Sequence, residues 1–482
     1  MTSTFFALNI GQQALDASQT ALQVVANNTS NVNTPGFSRQ EVNFTESTPY
    51  TVPTPTQTSL GQLGTGVTVA SVLRVTNSYI NTQVNNATSQ QGSSQTLSTL
   101  MSQVQTAFNE PSGSGIGQLM TNFFNSFSQL STAPENAGVR STVVNSGIAL
   151  ASTFNSVSQQ LQQLTPQISN SITTTVGQIN NYAAQISKLN TQIMQSMAAG
   201  QNPNDLQDQR DQLINQLSTL TAVQTFPEIN PTTGIADGAT NINVGGFALV
   251  QGGTTNTLPS TITTQNSNVG LQNSNGTFIP ITSGNLNGLL VANQEVSKYQ
   301  TQLDTLAYNL STSVNSLSQS GAGLDGSTGN LFFVAPPPPP GTGAASAIAV
   351  SPLVVNNPDK IAAATLPAPP ATPAPGNGDN ATAIANLMNQ QIIGTQTLNG
   401  YYDNTITQLG SDTQAANNQL TTNQSLVSQL QNQQSSISGV NMDNELTKMM
   451  QYQRTYEAAA KIINVADTFL DTVINNLTQG GL

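Results

Sequence analysis

The 482-residue chain has no histidine, no cysteine and no tryptophan, and only 7% of its residues are charged. Without histidine or cysteine there is no Ser-His or Cys-His nucleophile, no zinc site of the usual ligands, no haem axial histidine and no disulfide framework. The absence of cysteine by itself fits any redox compartment. A typical globular protein is ~25% charged, so Ser, Thr, Asn and Gln must cover this surface, and ion-pair networks are not expected to stabilise the fold. Ten basic residues against 22 acidic ones leave a net charge of −12, and no Lys or Arg precedes Arg39. There is therefore no basic patch to release counterions from nucleic acid or to meet an anionic membrane. Met1 to Ile10 lacks the basic and continuous apolar regions of a cleaved secretory signal, and no run approaches the ~20 apolar residues of a membrane span. A soluble protein, exported by no cleaved signal, is expected.

What is present suffices for a core. Hydrophobic residues make up 36% of the chain, with 37 glycines beside them, and at roughly 150 residues per domain about three structural units are expected. The pattern predicts a mainly α fold with a smaller inserted β domain, long coiled-coil-like helices from both chain ends, and a helical rod between them. Residues 5 to 28 carry Leu8, Leu15 and Leu22 at heptad spacing, with Gly11, Ser18 and Val25 three residues after each. The cluster Asn33-Thr34-Pro35-Gly36 should end that helix, and β-type composition to Val75 predicts a long hairpin or loop excursion. Residues 1–76 are thus one segment, followed by a first rod part over 77–225. In that part an apolar period from Phe154 to Met197 persists for ~40 residues, and Pro166 is expected to kink or divide the helix. A further helix starts at Asn202-Pro203-Asn204-Asp205 and ends near Leu220.

Short apolar runs with Gly252-Gly253 and Asn275-Gly276 turns predict an inserted β domain over 226–285. A helix over 286–330 returns to the rod. Residues 331–383, with Pro336 to Pro340, Pro367, Pro369, Pro370, Pro373 and Pro375, read as a linker or loop excursion unable to supply a packed core. The rod resumes over 384–438, with Leu409, Ala416, Asn423, Leu430 and Ile437 in one register. Gly439 interrupts before a terminal helix over 439–482. There Met449, Tyr456, Ile463, Leu470 and Leu477 repeat every seven residues, and Leu446, Ala460 and Ile474 are the expected partner positions.

The cluster most like a chemical site is Asp205, Asp208, Arg210 and Asp211. A capped, solvated helix start explains it better than a metal or catalytic site, because no base, oxyanion donor or pocket accompanies it; Asp443 and Glu445 take the same dipole explanation. Phe123, Phe124 and Phe127 read as core. No catalytic, cofactor-binding or metal residue is assigned, and no enzyme is expected. The terminal stripes are different: two narrow apolar seams at opposite chain ends can pair with each other or with other subunits.

Ala26 to Gln40 (ANNTSNVNTPGFSRQ) resembles the N-terminal signature of the bacterial flagellar rod, hook and hook-associated proteins, and Tyr452 to Ile474 (YQRTYEAAAKIINVADTFLDTVI) resembles their C-terminal helix. Three further stretches resemble the hook-associated members that join hook to filament: QINNYAAQISKLNTQI with PNDLQDQRDQLINQL between Gln178 and Leu217, VGGFALVQ at Val244 to Gln251, and SSISGVNMDNEL at Ser435 to Leu446. The resemblance implies a structural subunit of the junction ring, exported through the flagellar type III apparatus and required for filament assembly. It implies self-association, hook protein below, the next hook-associated protein above, and an export chaperone at the C-terminus, with no nucleic acid, membrane or cofactor. It also implies that the terminal helices pair in the inner tube and are largely disordered before assembly, so the isolated protein is expected to be monomeric with mobile ends. On matching positions, Leu8, Leu15, Leu22 and Val25 with Leu446, Met449, Tyr456, Ile463, Leu470, Ile474 and Leu477 would line the assembly seam. Asn33, Pro35, Gly36, Phe37 and Arg39 would form the turn leaving it. Beyond Phe332-Phe333 the chain departs from larger members, which continue into a further β domain. A hook or rod protein of the same family, or a secreted carboxylate-dependent hydrolase, are the alternative readings.

Overall fold

The computed structural model describes residues 5–49, 64–110, 115–265, 268–339, 341–366 and 374–479, with side chains as far as Asn475. The prolines at 53, 55, 340, 367, 369, 370 and 373, and the side chain of Leu477, lie outside them. The opening helix α1 (Phe5–Ser30) gives way to an antiparallel pair, β1 (Gln40–Glu46) and β2 (Val67–Arg74), in the position expected for a hairpin. Four helices follow: α2 (Ser78–Phe108), α3 (Ile116–Thr132), α4 (Ala137–Ala198) and α5 (Asn204–Leu220). Pro166 does not divide α4. It lies on the exposed side of the helix, as does Gln162, whose freed carbonyl can be hydrated.

The strands β3 (Gln224–Ile229), β4 (Ala236–Val244), β5 (Phe247–Gln251) and β6 (Thr254–Thr255) make one antiparallel sheet in sequential order, and β7 (Ile262–Gln265), β8 (Asn268–Gln272) and β9 (Phe278–Pro280) make a second. Gly252-Gly253 and Asn275-Gly276 sit in their turns, with Gly252 and Gly276 at positive φ. Beyond them come α6 (Asn285–Ser320), β10 (Gly321–Ala322), α7 (Ala344–Ala347), α8 (Pro352–Asn356), β11 (Ala364–Thr365), α9 (Asp379–Asn386), α10 (Leu398–Ser438) and α11 (Met442–Gln479).

The chain divides into two compact units rather than three. One comprises residues 1–90, 178–258 and 424–482, the other 91–177 and 259–423. The strands expected as one inserted domain therefore form two sheets in different units. In the first unit, Ile80, Val84 and Ala87 of α2 pack with Val427 and Leu430 of α10. Two asparagines of α4 fasten the β3–β6 sheet and the loop segment leaving it. Asn190 donates to the carbonyls of Thr240 and Gly252, and Asn180 to that of Leu258, while each side-chain oxygen accepts a backbone N–H, from Thr240 and Leu258 respectively.

The second unit is built round a ring cluster. Phe123 and Phe127 of α3 meet the Phe332 and Phe333 pair, and Phe124 meets Phe123, with centroids 4.9–5.5 Å apart in tilted and edge-on geometry. The segment expected to supply no core supplies a good part of this one: Ala344, Ala345, Ile348, Val354 and Ile361 to Ala364 are buried. Between its proline-rich stretches stand Ala, Ile and Val, and the backbone there is held by side chains of α4 and α6. Arg140 of α4, wholly buried, donates through Nε to Pro134 O (2.7 Å) and through a terminal nitrogen to Pro358 O (3.1 Å) and Ile361 O (3.0 Å). Asp304 of α6 accepts from the N–H groups of Gly343 and Ala345 at 2.9 Å.

Candidate functional site

The two chain ends lie side by side in the first unit, α1 against α11. A Cβ built on Gly11 would meet Ile463 Cγ1 at 2.9 Å, while Asn28, seventeen residues on, bonds to Glu445, so the helices run antiparallel. The buried face of α1 is Gly11, Ala17, Ser18, Ala21, Val25 and Asn28. These are small side chains, which let two helix backbones approach closely.

Asn28 is the fastening point. Its amide nitrogen donates to Gln40 O (2.8 Å) and to Glu445 Oε2 (3.0 Å), and its amide oxygen accepts from Gln40 N (2.9 Å). One side chain thus joins α1, the first residue of β1 and the first turns of α11, and both Asn28 and Glu445 are fully buried. Burial strengthens such a polar contact and makes its loss costly. Outside it, Lys448 Nζ reaches Glu41 Oε1 at 2.8 Å, Arg39 pairs with the same carboxylate at 2.5 Å, and the Phe44 and Tyr452 rings lie tilted at 6.2 Å. Hydrogen bonding to Lys448 holds the Glu41 carboxyl below its ordinary range.

The turn between α1 and β1 rests on α5. Gly36 adopts φ 82°, and Gln212 Cβ lies 3.3 Å from where its Cβ would be, so glycine is required there. Ser38 N donates to Asp208 Oδ2 (3.1 Å), Gln40 Nε2 donates to Asp205 Oδ1 (3.1 Å), and Arg39 N donates to Ser438 O (2.8 Å). Arg74, at the end of β2, bridges Asp208 (2.6 Å) and Asp211 (3.0 Å). The acidic cluster is therefore not a solvated helix start: Asp208 is buried, and burial pushes its carboxyl up despite Arg74 and Ser38. Arg210 is buried as well, which lowers its pKa, and donates to Gly238 O. Ion-pair networks, not expected in a chain so poor in charge, occur here and around Glu41. Among the described residues no group of three or more acidic side chains is arranged to hold a metal ion.

The expected seam residues are spread over several environments. Val25 is buried; Leu8, Leu15, Leu22, Met449, Ile463 and Leu470 are half-buried; Leu446, Tyr456 and Ile474 are exposed. On α11 the closest packing follows Glu445, Tyr452, Ala459 and Ala466, one residue before the expected partner line of Leu446, Ala460 and Ile474. Glu445 accordingly belongs to the interface and is no solvated dipole partner, whereas Asp443 is exposed. Of the turn residues, Asn33, Pro35 and Gly36 are exposed, and Phe37 and Arg39 half-buried. Asn28 and Gln40 were not among the expected residues. The available signal was an asparagine seven residues after Ala21, one helical turn beyond Val25, where a polar residue fixes register.

Comparison with known proteins gives matches along most of the chain. The flagellar hook-associated protein FlgK helical domain matches residues 101–333, the flagellar basal body rod FlgEFG protein C-terminal region matches 431–477, and the flagella basal body rod protein matches 8–37. Flagellar hook-associated protein 1 of Bacillus subtilis is 30% identical over 516 aligned residues, covering 100% of both chains. Its namesake from Salmonella typhimurium is 27% identical over 97% of this chain and 99% of its own. The solved structure of the flagellar hook junction protein FlgK from Burkholderia pseudomallei shares the fold, with a TM-score of 0.62 over 74% of this chain and 100% of that one at 20% identity.

Proposed function

The chain belongs to the flagellar hook-associated protein 1 family, a family of structural proteins of the bacterial flagellum, and from that membership we propose that it forms the ring joining hook to filament. Copies associate through the paired ends, 1–76 with 439–482, with hook protein below, the next hook-associated protein above, and no catalytic role. The chain reaches its place outside the cell through the flagellar type III apparatus, an export chaperone meeting its C-terminus.

The observation that carries the assembly role is the state of α11. One face lies on α1, yet Ile462, Val465, Phe469 and Ile474 remain exposed, Val465 at 67% and Phe469 at 57%. Apolar residues this exposed beside an existing helix pair support further packing against neighbours. A subunit with two different complementary faces makes heterologous contacts, which close into rings or extend into tubes. Deleting the gene tests the reading: hooks should persist while flagellin is lost to the medium. Complementation with the Val465→Asp, Phe469→Asp double variant should fail to restore filaments although the protein is exported and folded. Normal filaments in either strain would refute the junction role.

A further inference from the structure

Glu445 is fully buried, yet only one of its carboxylate oxygens is used. Oε2 accepts from Asn28, while Oε1 has no hydrogen-bond partner among the described residues. An unpaired carboxylate oxygen away from bulk water is costly unless a donor arrives. Glu445 lies in the wall of a pocket of about 270 Å³ formed by Ala21, Val24 and Val25 of α1, Val42 and Phe44 of β1, and Lys448 and Tyr452 of α11. Phe44 is exposed and Lys448 half-buried, so side-chain motion alone opens the way in. Most of the walls are aliphatic and aromatic, Gln40 and the paired Glu41 and Lys448 are the other polar members, and Glu445 brings the negative charge of the inner wall. An arginine side chain suits such a pocket, because its stem packs on apolar walls, its planar head stacks on rings, and its fork of donors matches a carboxylate.

The chain has ten basic residues. Arg39, Arg74, Arg210, Lys298, Lys360 and Lys448 have ion-pair partners, and Arg140 is buried on backbone carbonyls. No ion pair is present at Lys188, Arg454 or Lys461 among the described residues. Arg454 and Lys461 are both exposed and stand seven residues apart on α11. Helical geometry puts them on the side away from Ala459 and Ala466, and so away from α1. They cannot serve the pocket of their own chain.

Resting on the assembly reading above, we propose that Arg454 of a second copy inserts between Phe44 and Tyr452 and donates to Glu445 Oε1, locking neighbouring α1–α11 pairs together. The outer face of one α11 then meets the α1–β1–α11 pocket of the next copy, a head-to-tail contact. Lys461 has the same outward position without a planar head, and it stays at the rim.

A double-mutant cycle tests the contact. Arg454→Gln and Glu445→Gln each keep the monomer folded, the latter because its amide oxygen still accepts from Asn28. Each should lower the fraction of cells retaining filaments under shear by about tenfold, and the double variant should be no worse than either single one. Additive losses, or no loss from Arg454→Gln, would overturn the contact. Because the chain lacks cysteine, the Asn43→Cys, Ala458→Cys variant, which keeps Phe44 and Arg454, gives an independent readout: a short bismaleimide should link copies into a ladder in isolated flagella, and neither single cysteine should. Assembled flagella without a ladder would also overturn it, and if that variant does not assemble the cycle alone decides. Absence of the wild-type chain from purified flagella would sink the assembly role itself, whereas unlinked but normal flagella sink only the pocket.

Discussion

A single guanidinium organises the backbone of residues 358–361. Arg140 donates to three backbone carbonyls, of which Pro358 O and Ile361 O also accept a backbone N–H, and burial lowers its pKa. Arg140→Met should lower stability by roughly 2 kcal/mol, since three buried charge-assisted hydrogen bonds are lost although two of the acceptors keep a backbone donor; thermal unfolding of the purified protein checks it. Gly36→Ala forces a side chain to φ 82°, at a cost of roughly 1–2 kcal/mol, measurable by urea denaturation. Glu41 gives a pH dependence. Its carboxyl sits below the ordinary 4.5 because of Lys448, so its contribution is present above that pH and is lost as pH falls through the lowered value. Glu41→Gln should therefore flatten the decline of the denaturation midpoint just below pH 4.5, and an unchanged acid profile would show that the contact adds nothing.

The elements were legible wherever apolar period alone decides them. The break at Gly439, the α5 helix starting after Asn202-Pro203, the hairpin turns at Gly252-Gly253 and Asn275-Gly276, and the heptad line of α10 all follow from local chemistry. The face on which α11 packs did not, because its tight line uses Glu445, Tyr452 and Ala459, which a search for large apolar residues passes over. The segment after Phe333 was misleading for a related reason: its core contribution depends on Arg140 and Asp304, remote in sequence. The small residues of α1 bury little apolar area, so the α1–α11 pair is expected to be weak in an isolated subunit. Hydrogen exchange should be faster at residues 5–28 and 445–475 than in the middle of α4. Strong protection of both ends in dilute monomer would contradict this.

For the molecule as a whole, scarcity of charge limits what salt can do. Among the described residues the ion pairs are few and gathered around Asp208, Glu41, Lys298 and Asp325. Raising sodium chloride from low to high concentration screens exposed pairs, yet the midpoint of thermal unfolding should scarcely move, and a large fall would show that these clusters carry more of the fold than their number suggests.

The bond between Asn28 and Glu445 joins residues 417 positions apart. A nascent polypeptide lengthens from its N-terminus at about 5–20 residues per second, so Asn28 waits roughly 20 to 80 s before its acceptor exists. Throughout that interval α1 lacks the bond that fastens it to α11, so this knot closes only near the end of synthesis or after it.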